Sequence, residues 1–315
     1  MRILFCGDCF PASHSLLKER LLSGEDQIVV CDGAALRKAL ANCDVVIPMM
    51  TILDEALMEA GSFRLVQQWG SGLEGVDLEA ATRRSMWVAN VPASGSNADS
   101  VAEHLLLLIL ALLRQLSEAQ ANVRNGILGA PLGRMLAGRT VCLYGLGATA
   151  RALARRLLAF GVRLIGITRE QIAEKREEFQ LHDCFGASER TKALAQSDIV
   201  VLCVRLGPQT RGLVDDAALE AMPKGALLVN AARGGLVDYR ALERALQSGH
   251  LGGAALDVFW TEPIAPQDPL LQLPNVIATP HVAGVTDRSY AEIADAVARN
   301  IERLRCGEPP LNRAA

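Results

Sequence analysis

The sequence has almost no net charge for its size, no apolar run of bilayer length and no internal repeat, and each absence excludes a class of protein. Lysine and arginine number 32 against 35 acidic residues, a net charge of -3. So even a balance gives no electrostatic reason to expect nucleic acid or an anionic membrane as a partner. At the N-terminus one cation, Arg2, precedes an apolar run of only Ile3–Cys6, shorter than a secretory h-region, so no signal peptide is expected. The most apolar stretch, Leu105–Leu113, is about half of what a bilayer crossing requires and reads as a buried helix or a subunit interface. Low-complexity segments are also missing. A cytoplasmic location is the expectation.

A second metal-ligand pair is missing too. Cys6 and Cys9 form a C-x-x-C pair, which leaves a redox pair or half a zinc site as the alternative reading. No partner pair follows at useful spacing, and Cys6 ends a strand-like run. The eight cysteines, Cys31, Cys142 and Cys203 among them, therefore read as small hydrophobes in a reducing compartment, with no metal expected.

What is present is a long, apolar chain. Its 315 residues exceed one typical core and suit two domains. With 50% hydrophobic and 21% charged residues it is expected to be a well-buried globular enzyme. From about Thr140 onward, strand-like runs alternate with helix-length segments: Thr140–Tyr144, Arg163–Thr168, Ile199–Val204, Ala226–Asn230, Ala254–Val258 and Val276–Thr279. One intervening segment, Tyr239–Ser248, has Asp238 as an N-cap, Leu242, Ala245 and Leu246 on one face, and Gly249 as a stop. Near-continuous apolar strands between amphipathic helices indicate a parallel sheet covered on both faces. The first 95 residues repeat the rhythm on a smaller scale, with strand candidates at Arg2–Cys6, Ile28–Cys31, Val45–Pro48, Leu65–Trp69 and Trp87–Val91. Pro92–Asn97 reads as a hinge into a long helix, Ala98–Gln115, and a last amphipathic helix spans roughly Asp287–Leu304.

The run from Val141 to Ala150 is a strand entering G-x-G-x-x-A and a helix, the context that a dinucleotide-binding turn requires. Gly145 permits the tight turn, Gly147 lets backbone approach a pyrophosphate, and the amides at Ala148 and Thr149 open the helix toward it. An acidic residue about 20 positions after the glycines would bond the ribose of NAD. Here the second strand ends in Thr168, 23 positions after Gly145, followed by Arg169. A hydroxyl beside a guanidinium suits the 2′-phosphate of NADP, so NADP(H) is favoured over NAD(H). Glu170 next door keeps a solvated surface charge open as the alternative.

Three polar residues stand just past consecutive strands: Arg233, Glu262 and His281. The carboxyl ends of a doubly wound sheet line one edge, where ligands bind. Reduction of a 2-oxo acid needs a hydride, a proton for the carbonyl oxygen and a cation for the carboxylate. Histidine is the natural acid–base near neutral pH. Glu262 would hold the imidazole, and Arg233 offers a planar fork to a carboxylate. Singly, Arg233 and Glu262 read equally as surface charges and His281 as a satisfied core histidine; their coincidence at three strand ends favours chemistry.

The segments Asn230–Asp238, Ala255–Pro263 and Thr279–His281 resemble the signatures of the D-isomer-specific 2-hydroxyacid dehydrogenases. The resemblance continues through Gly70–Asp77, Val101–His104 and Gln209–Leu213 and covers nearly the whole chain. It implies two doubly wound parallel-sheet α/β domains. A Rossmann-type cofactor domain (97–283) is inserted into a smaller flavodoxin-like substrate domain (1–96 plus 284–315). It further implies Arg233, Glu262 and His281 as the catalytic set, Asp257 among the cofactor-binding residues, backbone amides near Ser71 and Gly72 for the substrate carboxylate, and a homodimer built around the Ala98–Gln115 helix.

Departures inform it: Ala150 replaces the usual third glycine, Arg205 stands where many members have proline, and the acidic cofactor residue is absent. That last feature resembles the glyoxylate/hydroxypyruvate reductase branch. Formate dehydrogenases of the same superfamily carry Gln in place of Glu262, which argues against that branch. Little chain follows the last helix, so a regulatory domain is not expected. Met49, Met50, Trp69 and Trp260 suit an apolar substituent on the substrate better than a phosphate, with core packing the alternative for the two methionines. A cofactor-sensing binding protein, corepressor-like, is the competing function on this fold.

Overall fold

The computed structural model describes every residue from Met1 to Ala315. Its contacts divide the chain into two compact units, Met1–Asn97 with Thr286–Ala315, and Ala98–Val285.

The first unit holds five parallel strands, β1 (Arg2–Cys6), β2 (Gln27–Cys31), β3 (Val45–Ile47), β4 (Leu65–Gln67) and β5 (Trp87–Ala89), in the order β2-β1-β3-β4-β5. This is the flavodoxin-like order, and the winding reverses between β1 and β3. Ile3, Phe5, Val45, Val46 and Ile47 have no exposed surface, which is why these strands read as unbroken apolar runs. The last helix, Asp287–Arg305, packs on the helix Ala12–Arg20. Its buried Asn300 donates to Gln67 Oε1 at 2.7 Å and accepts from the Leu311 amide at 2.7 Å, so polar groups are matched where helix meets sheet. Arg305 closes the far end with two 2.7 Å bonds to Asp26.

The second unit holds seven parallel strands, β6 (Thr140–Tyr144), β7 (Arg163–Thr168), β8 (Asp183–Gly186), β9 (Ile199–Leu202), β10 (Leu227–Asn230), β11 (Gly253–Leu256) and β12 (Val276–Ala278). Their order is β12-β11-β10-β9-β6-β7-β8, a Rossmann-type sheet whose winding reverses between β6 and β9. Alternate residues feed two cores. Val141, Leu143, Val201 and Val229 pack on one face, and Cys142, Ile165, Val200 and Leu228 on the other. Each such fully buried Val, Leu or Ile contributes roughly 1.5–3 kcal/mol of burial free energy.

Several elements end earlier than their composition suggests. β9 stops at Leu202 and β11 at Leu256, because the next residues leave the ladder to form the loops of the sheet's carboxyl edge. The edge strand β8 has no sequence signal, because its half-buried Asp-Cys-Phe-Gly lacks the apolar run of a central strand. The long helix runs from Ser96 to Leu113, and Gln115 after it turns left-handed at φ 49°. By length and composition this one helix could cross a membrane. Its Ala102, Leu105, Leu108, Ile109 and Leu112 are instead buried in the core shared with Val141 and Leu143. The helix Tyr239–Gln247 is capped by Asp238, which accepts from the Ala241 amide at 2.8 Å.

All eight cysteines are free thiols, and burial pushes Cys6 up to about 12. No group of three His, Cys, Asp or Glu side chains converges in a metal-binding arrangement.

Candidate active site

The turn after β6 is built for close backbone approach. Gly145 has φ +98°, and a Cβ there would lie 2.6 Å from Val204 Cγ1 and 2.8 Å from the Cys203 carbonyl oxygen. No side chain fits this position. A Cβ on Gly147 would meet only open space, and Gly147 caps the helix Ala148–Leu158. That helix begins at Ala148, directly after the glycine. Its first amides, at Ala148 and Thr149, carry the positive end of the helix dipole. Ala150 is fully buried and holds helix against sheet. These features fit a dinucleotide pyrophosphate.

Where β7 ends, Thr168 Oγ1 donates to the Glu170 carbonyl at 3.1 Å, and exposed Arg169 reaches Gln209 Oε1 at 3.4 Å. Arg169 thus stands at the neighbouring strand tip, beside the glycine turn whose Gly145 amide bonds the Ile167 carbonyl at 2.9 Å.

On the other side of the β6–β9 reversal, β10, β11 and β12 are adjacent and deliver the three polar residues from consecutive tips. His281 Nδ1 lies 2.6 Å from Glu262 Oε2, and the pair is partly buried, with 28% and 14% of the side-chain surface exposed. The other carboxylate oxygen, Oε1, accepts from the Phe259 amide at 2.8 Å, so Glu262 is clamped at both oxygens. His281 has a left-handed backbone at φ +55°, an uncommon state that clusters at functional sites.

Arg233 is fixed differently. Buried Asn230 donates to the Arg233 carbonyl at 2.9 Å and accepts from the Ala232 amide at 3.0 Å, folding the loop after β10 back on itself. The guanidinium Nη1 donates to the Ala232 carbonyl at 2.7 Å. Next in sequence, Gly234 passes so near the loop after β11 that a Cβ would lie 2.1 Å from the Phe259 carbonyl carbon. Gly234 therefore lets the arginine loop and the glutamate loop touch backbone to backbone. Trp260 reinforces that contact, its indole donating to the Val237 carbonyl at 2.7 Å while its ring packs edge-on to Tyr239 at 4.9 Å. Trp260 thus braces the loop after β11.

Under His281 lies a network that the sequence reading did not assemble. Asp257 has no exposed surface. Its carboxylate accepts from Thr279 Oγ1 at 2.6 Å and from the amides of Val282 and Ala283 at 2.9 Å each. His104 Nε2 stands 3.0 Å from Thr279 Oγ1 and 3.5 Å from Asp257. Burial alone would raise this carboxyl, but His104, Thr279 and the two amides outweigh it and hold Asp257 below the usual carboxylate range. Asp257 thus anchors the segment that carries His281. His104 belonged to a motif, but no spacing rule joins it to a residue 175 positions away.

In the first unit the Ser71–Gly72 turn follows β4. Asn90 donates to the Ser71 carbonyl at 2.8 Å, and the Val91 amide to the Gly70 carbonyl at 3.0 Å. Trp69 is buried between Phe5 and Tyr290, ring centroids 6.0 and 5.8 Å away. Met49 is buried and Met50 is 45% exposed, so core packing accounts for the first methionine and not for the second.

Comparison with known proteins follows the same lines. Residues 106–283 match the family described as D-isomer specific 2-hydroxyacid dehydrogenase, NAD binding domain. The chain is 35% identical to a glyoxylate reductase of Korarchaeum cryptofilum over 279 residues, 86% of this chain and 82% of that one. It is 38% identical to a D-3-phosphoglycerate dehydrogenase of Mycobacterium leprae over 257 residues, 78% of this chain but only 47% of that longer protein. Among solved structures, an NADPH-dependent glyoxylate/hydroxypyruvate reductase from Sinorhizobium meliloti, in complex with NADP and malonate, aligns with a TM-score of 0.85 at 32% identity. That alignment covers 100% of this chain and 96% of that one. An NAD-dependent formate dehydrogenase from Staphylococcus aureus in complex with NAD aligns at 0.83 and 27% identity, covering 99% and 98% of the two chains. The glycine turn, the strand-tip triad and this breadth of likeness lead to one conclusion: the chain belongs to the D-isomer-specific 2-hydroxyacid dehydrogenases, NAD(P)-dependent oxidoreductases.

Proposed function

We propose that this enzyme works as a reductase of small 2-oxo acids, with His281 as the proton donor. The observation that carries the reading is the 2.6 Å contact between His281 Nδ1 and a carboxylate held at both oxygens. It commits Nδ1–H to Glu262 and fixes the tautomer, so proton exchange runs through Nε2. His281 gives that proton to the 2-oxygen of the substrate, and Glu262 stabilises the charge on the ring. Arg233 pairs with the substrate carboxylate and polarises the carbonyl, and the amides at Ser71 and Gly72 assist in holding the carboxylate. A bound reduced nicotinamide supplies the hydride that turns the 2-oxo carbon into a 2-hydroxy carbon.

Residues 97–283 serve as the dinucleotide-binding domain and residues 1–96 with 284–315 as the substrate domain. Gly145, Gly147, Ala148 and Thr149 cradle the pyrophosphate, while Thr168 and Arg169 take the 2′-phosphate of NADP(H), favoured over NAD(H). A homodimer through the Ala98–Gln115 helix and the segment after it accounts for surface that is costly on a monomer. Val123, Leu128 and Leu132 are 79, 96 and 92% exposed. Light scattering at the mass of one chain would remove the dimer.

The test is a panel of glyoxylate, hydroxypyruvate and phenylpyruvate, followed by nicotinamide absorbance with NADPH and NADH, then repeated with Arg169→Ala. Turnover with at least one acid, faster with NADPH, and loss of that preference in the variant are the expected results. Faster turnover with NADH in the parent overturns the cofactor assignment. Tight cofactor binding with no turnover of any 2-oxo acid favours a sensor instead.

A further inference from the structure

His281 sits in a segment that one helix grips at both ends. Its left-handed backbone, φ +55°, is uncommon for a residue with a Cβ and persists only where the surroundings over-determine it. Two residues before it stands Thr279 and two after it Ala283, and the long helix Ser96–Leu113 reaches both. Ser100 Oγ donates to the Ala283 carbonyl at 2.7 Å. One turn further on, His104 Nε2 stands 3.0 Å from Thr279 Oγ1. Residues four apart share a helix face, so Ser100 and His104 form one polar strip. Ser100 is the only polar residue among the buried positions of that helix, which are otherwise Ala, Leu and Ile. Apolar packing alone would dock the helix, whereas matched polar groups specify where the segment lies.

The protons give the direction of each bond. A threonine hydroxyl has one hydrogen, and Thr279 donates it to Asp257 at 2.6 Å. The nitrogen facing the same oxygen must therefore donate, which puts a His104 proton on Nε2, 3.5 Å from Asp257 Oδ1 as well. Asp257 in turn accepts from the Val282 and Ala283 amides at 2.9 Å each. The bonds thus run from His104 through Thr279 and Asp257 to the two amides that follow His281, and Ser100 ties down the carbonyl of the last residue. All of these groups lie in the second unit.

Resting on the reading of His281 as proton donor, we infer that Ser100 and His104 are positioning residues that aim the imidazole by clamping the segment on either side of it. They act through Thr279, Asp257 and the Ala283 backbone.

The experiment compares Ser100→Ala, His104→Leu and His104→Gln with the parent in two ways. In steady-state kinetics with a 2-oxo acid and saturating reduced nicotinamide, the first two should each lower kcat on the order of 10-fold, since misplacement by about 1 Å costs up to roughly 10²-fold. KM should stay close to that of the parent, because Arg233 still holds the carboxylate. His104→Gln offers an N–H near the position of Nε2 and should restore most of kcat. Independently of turnover, the Nδ1 proton of His281 in its 2.6 Å bond to Glu262 gives a downfield NMR signal, which should move in Ser100→Ala and His104→Leu. A merely structural helix contact would lower thermal stability and leave that signal and kcat in place. Folded variants with parental kcat and an unmoved signal overturn the inference while the reductase reading stands, and so does His104→Gln turning over as slowly as His104→Leu. A moved signal without turnover of any 2-oxo acid removes the reductase reading and supports the clamp.

Discussion

Replacing Glu262 with glutamine changes one atom of the strand-tip triad and tests how it works. In the native site both carboxylate oxygens accept, Oε1 from the Phe259 amide at 2.8 Å and Oε2 from His281 Nδ1 at 2.6 Å. Glutamine has one acceptor and one donor on the same frame. If its oxygen stays with Phe259, its NH₂ faces Nδ1, which must then accept, and the ring's proton moves to Nε2 in a neutral tautomer. That ring can donate a hydrogen bond but cannot give up the proton without becoming an anion. If the amide flips, the Phe259 N–H faces an N–H instead, a buried mismatch of about 1–3 kcal/mol. Either way the charge that balanced an imidazolium is gone. A wrong tautomer beside a positioned acid–base is worth about 10²–10⁴-fold in turnover. The assay is steady-state kcat with a 2-oxo acid at saturating cofactor, alongside cofactor affinity and thermal unfolding of the same variant. Loss of kcat with cofactor binding retained is expected. Near-native turnover by Glu262→Gln would refute the assignment of Nδ1–H to the carboxylate.

Two further substitutions address what holds the triad in place. Gly234→Ala puts a methyl 2.1 Å from the Phe259 carbonyl carbon, so one loop must move. Thermal or urea unfolding should show a loss of about 1–3 kcal/mol, the usual cost of overpacking, and kcat should fall because misplacement by about 1 Å costs roughly 10²-fold. Asp257→Asn leaves a buried NH₂ facing the Val282 or Ala283 amide, and denaturant unfolding should show a loss of about 2–4 kcal/mol at neutral pH. Because the folded Asp257 carboxyl lies below its unfolded value, its contribution is complete above about pH 4 and fades as pH falls through the folded value. The stability gap between parent and Asp257→Asn should therefore narrow in acid, and a gap that widens there would contradict the assignment.

Much of the fold was legible because burial on both faces leaves a plain mark. Val45-Val-Ile and Ile199-Val-Val-Leu have no polar residue to interrupt them, and each lies in the middle of its sheet. The edge strand β8 has half-buried residues and leaves no such mark. Apolar residues such as Val204 and Val258 continue past the ladder into the loops, so composition alone makes the strands longer than they are. The glycine turn was readable because only glycine accepts the backbone at Gly145. The need for Gly234 was not, since it arises from a loop 25 residues later in the chain. The anchoring role of Asp257 was not readable either, since it rests on bonds to Thr279, Val282 and Ala283 that only the fold brings together. Long-range pairing of this kind has no periodicity to betray it.

The central assignment, His281 as the group that hands a proton to the substrate oxygen, is tested most directly by the turnover number of His281→Ala with a 2-oxo acid and saturating reduced nicotinamide. A fall of on the order of 10²–10⁴-fold, with cofactor binding and folding preserved, is the expected result. Turnover close to that of the parent would contradict it.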